Sequence, residues 1–138
     1  MVGFIIVTHG HVGQELYACL EGILGVQENV AAVTVDFTKP VETARAEIEE
    51  AIQNVDKGDG VIIMTDMFGG TPSNISLSFL ENHKVEVLTG VNLPMLIKGV
   101  TMRKGQALEE LCRLLKESGK NGIIVASTLL KEQQGRIQ

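Results

Sequence analysis

The chain opens on an unbroken apolar run. Residues 2–7 read VGFIIV, and the first polar positions are Thr8, His9, Gly10 and His11. A continuous run without alternation predicts a strand covered on both faces. The period then changes: Val12, Leu16, Cys19, Leu20, Ile23 and Leu24 recur at helical spacing, and Gly25 marks a stop. Residues 31–36 (AAVTVD) predict a second strand. A second helix begins near Pro40 and runs to about Val55, with Val41, Ala44, Ile48, Ala51 and Ile52 as its inward stripe. The turn DKGDG leads to a third apolar strand, Val61–Thr65. In Thr71-Pro72 a hydroxyl cap precedes a proline at the first helical position, predicting a helix that carries Ile75, Phe79 and Leu80 and ends near Asn82-His83. Val85–Leu88 predicts a fourth strand, and Pro94 opens a short helix. Gln106–Lys116 predicts an amphipathic helix with Leu108, Leu111, Cys112 and Leu115 inward and Gly119 as its stop. A last strand is expected at about 122–128, followed by a polar tail, 131–138, that frays.

Strands that alternate with helices imply an α/β fold: a doubly wound, mainly parallel open sheet with helices on both faces. The 138 residues suit a single domain, 1–138, with a core large enough to need no disulfide or metal. Strand order is not written in one sequence.

Charge narrows the partners. Twelve Lys and Arg against 17 Asp and Glu give a formal charge of -5. Nucleic acid and an anionic membrane surface both require a basic face, so neither is expected as a partner. No apolar stretch approaches the roughly 20 residues of a membrane span, and the N-terminus lacks the basic segment of a signal peptide. A cytoplasmic location follows as the expectation. Cys19 and Cys112 sit in helical apolar patterns and are expected to be small buried hydrophobes. With no Trp, one Tyr and four Phe, no stacking platform for bases or sugars is expected.

The chemistry gathers at one end of the strands. In open α/β sheets, ligands bind beyond the carboxyl ends, where the winding reverses. On that rim lie Thr8-His9-Gly10, Asp36-Phe37-Thr38, Asp66 through Thr71, and Thr89 through Asn92. An aspartate that accepts from one imidazole nitrogen fixes the tautomer and leaves the other nitrogen as a lone-pair nucleophile. His9 and Asp66 are the candidates for such covalent chemistry. The glycines of GGTPS allow close backbone approach, and amides there and beside Gly10 could receive an anion. Taken singly, a strand-end histidine, an aspartate after a strand and a GGTP helix start are ordinary structural features. Their meeting on one rim carries the functional reading. His11, in the first helical turn, is expected to cap or face solvent, and His83 to face solvent on the opposite rim. No dinucleotide GxGxxG, no GxxxxGK[ST], no CxxC or HExxH and no GxSxG is present. No cofactor or metal is called for.

FIIVTHG (4–10), VIIMTDMFGGTPSN (61–74) and VEVLTGVNLPML (85–96) together resemble the enzyme IIA domain of the mannose family of the bacterial phosphoenolpyruvate:sugar phosphotransferase system (PTS). The resemblance spans essentially the whole chain and rests on three ordered, correctly spaced motifs. It implies that His9 takes a phosphoryl group from the phosphocarrier HPr and passes it to a IIB partner. It implies that Asp66 hydrogen-bonds that histidine, that Gly69, Gly70 and Thr71 surround the phosphoryl group, and that Asn92, Leu93 and Pro94 line the same pocket. It also implies that the final strand lies antiparallel and is exchanged within a homodimer. Phe37, Met67, Phe68, Val91, Leu93 and Met95 are candidates for an apolar docking centre, with ordinary core as the competing role.

Some relatives continue through a linker into a fused IIB domain, whereas this chain stops soon after the expected last strand. The expectation is a separate IIB protein or, alternatively, a stand-alone regulatory sensor that binds a partner according to its phosphorylation state. A dihydroxyacetone kinase phosphotransfer subunit fits the GGTPSN and GVNLP segments less well. A ligand binder without covalent chemistry would not need His9.

Overall fold

The computed structural model describes residues 1–81 and 84–137; the expected helix end at Asn82-His83 and the placement of His83 lie outside the described residues. Strand β1 (Gly3–His9) is followed by α1 (Val12–Leu24), β2 (Val30–Val35), α2 (Val41–Val55), β3 (Val61–Thr65), α3 (Thr71–Leu77), β4 (Val85–Thr89), α4 (Leu93–Met102), α5 (Leu108–Asn121) and α6 (Ala126–Ile137). The four strands form one parallel sheet in the order β2-β1-β3-β4. The most continuously apolar strands, β1 and β3, take the two central places, where both faces are covered.

Alternate strand residues feed two cores. Ile5, Val7, Val33, Val35 and Ile63 pack with Ile48 and Ile52 of α2, Ile75 of α3 and Phe79 in the turn after it. Phe4, Ile6, Ile62 and Met64 pack with Leu20 of α1, Met95 and Leu96 of α4, and Leu111 and Leu115 of α5. The chain leaves β1 for β2 on one side and reaches β4 through β3 on the other. The winding therefore reverses between β1 and β3, and His9 and Asp66 stand at the carboxyl ends of those two strands.

Several expectations change in detail. Helix α1 turns Gly13, Leu16, Tyr17 and Leu20 inward and leaves Cys19 and Ile23 exposed. The cause is Gly13: a Cβ there would lie 3.1 Å from Ile6 Cγ2 and 3.1 Å from Thr8 Oγ1. The helix settles onto β1 at that glycine, and the residues spaced from it face the sheet. Helix α3 stops at Leu77, after which Ser78, Phe79 and Leu80 donate to carbonyls three residues back, a tighter turn than an α-helix. Its cap is Gly70, one residue before Thr71, because the Gly70 carbonyl accepts the first i+4 bond, from the Asn74 amide at 3.0 Å.

The last strand expected at 122–128 does not form in the described chain. Helix α5 runs on to Asn121, and only residues 123–125 separate the turn at Gly122 from α6. That is too short a stretch to return to a sheet edge. Ile123 is 78% exposed, and Ile124 and Val125 are also exposed. The polar tail continues as helix to Ile137 rather than fraying from 131.

Candidate active site

The register Val7↔Thr65 brings the ends of β1 and β3 side by side. One carboxylate oxygen of Asp66, Oδ2, accepts from the His9 backbone amide at 3.0 Å and meets His9 Nδ1 at 2.7 Å. The other oxygen, Oδ1, accepts from the Met67 amide at 3.0 Å. An ionised carboxylate can only accept, so Nδ1 carries a proton; in the neutral ring the lone pair is then on Nε2. Partial burial alone would raise the Asp66 pKa. The side-chain and backbone hydrogen bonds from His9, its charge and the Met67 amide outweigh that burial and hold the carboxyl below the ordinary range. The His9 side chain is 27% exposed and that of Asp66 21%, so the pair is screened yet reachable.

Two more groups lie against the imidazole. The Phe37 ring stacks on it, with centroids 5.5 Å apart and planes 25° from parallel. Gly70 lies against its other nitrogen: a Cβ on Gly70 would fall 2.6 Å from His9 Cε1 and 3.0 Å from Nε2. Gly10 (φ +53°) and Gly69 (φ +90°) supply left-handed backbone on either side of the site. Their amides are engaged within the protein, Gly10 donating to the Val35 carbonyl at 3.2 Å and Gly69 to Ser73 Oγ at 3.2 Å. These two glycines shape the loops. Among the described residues, the Gly70 and Thr71 amides have no such acceptor.

Met67 and Phe68 are exposed beside the pair. The remaining candidates are engaged elsewhere. Asn92 caps α4 by accepting from the Met95 amide at 3.0 Å and donates to the Gly119 carbonyl at 3.0 Å, joining α4 to α5. Leu93 packs into the core beneath α1, α4 and α5, as does Val91, and Met95 is buried there. Pro94 is exposed, 2.6 Å from the Cβ position of Gly122. His11 is exposed and its Nδ1 meets Gln14 Oε1 at 3.2 Å; among the described residues no carboxylate is bonded to its ring. A groove of about 420 Å³ runs beside the site along the free edge of β2, bordered by His11, Gln14, Thr34, Phe37 and Thr71 but not by His9.

Two positioning residues escaped the sequence reading. Thr8 is buried, and its Oγ1 accepts from the Gly13 amide at 2.7 Å, locking the start of α1 to the strand that carries His9. Ser73 is buried and receives the Gly69 amide. Thr8 left a readable trace, a hydroxyl at the end of an otherwise apolar run. Ser73 left none.

Among the described residues, no three His, Cys, Asp or Glu side chains gather closely enough to hold a metal ion, and no helix is long and apolar enough to cross a membrane. The sheet order, the switch point and the paired imidazole and carboxylate define a doubly wound α/β domain with a histidine–carboxylate pair on its ligand-binding rim. Residues 3–116 match the EIIA-man family, described as the PTS system fructose IIA component. The chain belongs to this family, the mannose-type IIA components of the PTS, whose general role is phosphoryl carriage.

The chain is 29% identical over 133 residues to the PTS fructose-specific EIIA component of Bacillus subtilis strain 168, covering 96% of this chain and 91% of that one. It is 34% identical over 127 residues to the PTS mannose-specific EIIAB component of Escherichia coli K12; this covers 88% of this chain but only 38% of that longer protein. The crystal structure of an EIIA component from Streptococcus agalactiae superposes with a TM-score of 0.85 at 29% identity, covering 93% of this chain and 99% of that one.

Proposed function

We propose that this protein carries a phosphoryl group on Nε2 of His9, accepting it from phospho-HPr and passing it to a IIB partner in the cytoplasm. The observation that carries the reading is the 2.7 Å approach of His9 Nδ1 to Asp66 Oδ2, which leaves Nε2 as the free nucleophile. In the forward step the Nε2 lone pair forms a bond to phosphorus as the donor–phosphorus bond breaks. The electron pair of that bond returns to the donor. The Nδ1 proton stays in its hydrogen bond to Asp66, so the modified ring becomes cationic and leaves readily as a neutral imidazole in the second transfer. The amides of Gly70 and Thr71, without an acceptor among the described residues, are our candidates to receive phosphoryl oxygens, while Gly10 and Gly69 set the loops around them.

Both partners must reach the same nitrogen in turn, which calls for a small, transient interface with an apolar centre. The exposed Phe37, Met67 and Phe68 beside His9 support that. Asn92, Leu93 and Pro94 serve the rim indirectly, by fixing α4. The exposed residues 123–125 support a homodimer in which the C-terminal segment is exchanged and pairs as a strand on a second copy.

Incubation with phosphoenolpyruvate, enzyme I and HPr tests the carrier role. One acid-labile, base-stable phosphoryl group is expected, lost in His9→Ala and kept in His11→Ala. Labelling that survives His9→Ala refutes the assignment.

A further inference from the structure

We propose that Phe37 is a positioning residue for the phosphoryl acceptor: its ring, stacked on the His9 imidazole, holds Nδ1 on Asp66 and Nε2 outward. This inference rests on the reading of His9 as the acceptor. An exposed apolar ring beside an active histidine could serve docking alone. Three observations on the structure say more than that.

The first is the stack itself. Phe37 is 74% exposed, yet its ring lies 5.5 Å from the imidazole centroid and only 25° from parallel, within the range of offset stacking. The second is the loop that carries it. Asp36 Oδ1 accepts from the Thr38 amide at 2.8 Å and from Thr38 Oγ1 at 2.7 Å, and the Lys39 amide donates to the Asp36 carbonyl at 3.2 Å. Pro40 then leads into α2. The Gly10 amide ties the end of β1 to the Val35 carbonyl at the end of β2. Phe37 is thus held at a fixed distance from His9 rather than hung on a loose loop.

The third is what the other contacts leave undone. The torsion that orients an imidazole is broad. The Asp66 hydrogen bond fixes one nitrogen but not the tilt of the plane about it. Gly70 limits the edge at Cε1 and Nε2, and Phe37 covers a ring face. The chemistry strengthens the same contact. As Nε2 bonds to phosphorus the ring becomes cationic, and an aromatic face attracts a cationic ring more than a neutral one.

Phosphoramidate separates positioning from docking, because it is a small donor that needs no protein interface. Nε2 attacks the phosphorus of its N-protonated form, the P–N bond breaks, and neutral ammonia leaves with the electron pair. Phosphohistidine formation is followed in the unsubstituted protein, Phe37→Leu and Phe37→Tyr, with phosphoramidate and with phospho-HPr. The His9 ring protons are followed by NMR in the same three proteins. Phe37→Leu is expected to react about threefold to tenfold more slowly with phosphoramidate, and by the same factor at saturating phospho-HPr, as loss of a stacking contact predicts. The His9 ring protons should lose their ring-current shift, and Phe37→Tyr should restore both signals.

An unchanged or faster reaction with phosphoramidate overturns the proposal, as do unmoved His9 ring protons. A defect confined to the half-saturating concentration of phospho-HPr overturns it as well and makes Phe37 a docking residue only. If the unsubstituted protein takes the group from phosphoramidate on His9 but not from phospho-HPr, the carrier reading fails. The positioning role is still decided by the small donor.

Discussion

A methyl group on Gly70 would fall 2.6 Å from Cε1 and 3.0 Å from Nε2 of the His9 imidazole. No real Cβ tolerates the shorter distance, so the ring or the loop must move. Gly70 itself sits at φ −89°, which any residue can adopt. Gly70→Ala is therefore expected to fold with a near-normal melting temperature while transfer falls about a hundredfold, the usual penalty for misplacing a reacting atom by about 1 Å. Gly69→Ala makes the contrast. Its φ of +90° leaves open space for a Cβ but strains the backbone, so stability should fall by about 1–2 kcal/mol. Melting curves and quenched transfer assays on the two variants check this; a G70A variant that transfers at the wild-type rate would sink it.

Asp66 links stability to acid. Its folded pKa is held below that of a free aspartate, about 3.9, mainly because the hydrogen bonds from His9 outweigh partial burial. Well above about pH 4 the carboxylate is charged in both folded and unfolded states, and its contribution is fully present. As pH falls, the unfolded chain binds the proton first, and the contribution is gone once pH passes below the lowered folded value. Urea unfolding of the wild type and Asp66→Asn should show a stability gap that is constant near neutral pH and closes in acid. A gap that widens toward acid contradicts the pairing. Phosphoryl transfer by the variant should be slowed but not abolished, because Nε2 is still present.

Much of this site was legible in the sequence because it depends on where strands end. The apolar runs 2–7 and 61–65 mark two buried parallel strands, and polar residues directly after such strands must share one rim. His9 and Asp66 follow from that alone, although their adjacency needed the order β2-β1-β3-β4, which no local pattern records. What stayed hidden depends on rotation and distance. Six apolar positions on α1 fit a helical stripe, but the close approach at Gly13 selects a different one and turns Cys19 outward. Asn92 looked like pocket chemistry because of its motif, yet its amide is used to cap α4 and bind Gly119. The Phe37 stack joins the end of β1 to the loop after β2, so spacing along the chain cannot reveal it.

The two cysteines should behave differently. Cys19 is exposed on α1, whereas Cys112 is partly buried. Burial, with a smaller contribution from the negative charge of Glu86, pushes the Cys112 thiol up to about 12. At pH 8 only about one Cys112 in ten thousand is then the reactive thiolate. Maleimide followed by intact-mass measurement should add one label quickly to the native protein, abolished by Cys19→Ser, and a second only in urea. Rapid labelling of Cys112 in the native protein would contradict the packing of α5.

The exposed residues 123–125 bear on assembly. Ile123, Ile124 and Val125 are exposed in the single chain, and an apolar segment of this kind is a natural interface. Sedimentation should give a dimer for the wild type and a monomer for Ile124→Glu. The monomer should still take the phosphoryl group, because His9, Asp66 and Gly70 all come from one chain. A wild type that sediments as a monomer at high concentration rejects the exchange.

Arg103 is the main polar clamp on the rim opposite His9. It is 2% exposed, at the end of α4. Its guanidinium donates to the carbonyls of Val2 at 3.3 Å, Asn29 at 3.3 Å and Glu28 at 2.5 Å, and lies 5.0 Å from the centroid of the Phe4 ring. These carbonyls belong to the segments entering β1 and β2, so one planar cation fixes the starts of both strands. Burial lowers its pKa, partly offset by the charge of Glu28, and a guanidinium stays protonated under such conditions where an amine could yield its proton. Arg103→Met keeps apolar bulk over Phe4 but strips the guanidinium from three carbonyls, of which that of Asn29 keeps the Phe4 amide at 3.0 Å. A loss of about 2–4 kcal/mol is expected, since hydrogen bonds to charged groups contribute about 1.5–3 kcal/mol each and do not add fully. Arg103→Lys keeps a charge but not the fork, and should fall between the two. In urea the midpoint should drop with an unchanged slope, because the folded and unfolded surfaces are the same. Under folding conditions the transfer rate should be untouched, because the clamp and the imidazole stand at opposite ends of β1. A stability loss below about 0.5 kcal/mol, the range of an ordinary surface change, would mean that water or neighbouring amides replace the guanidinium at no cost.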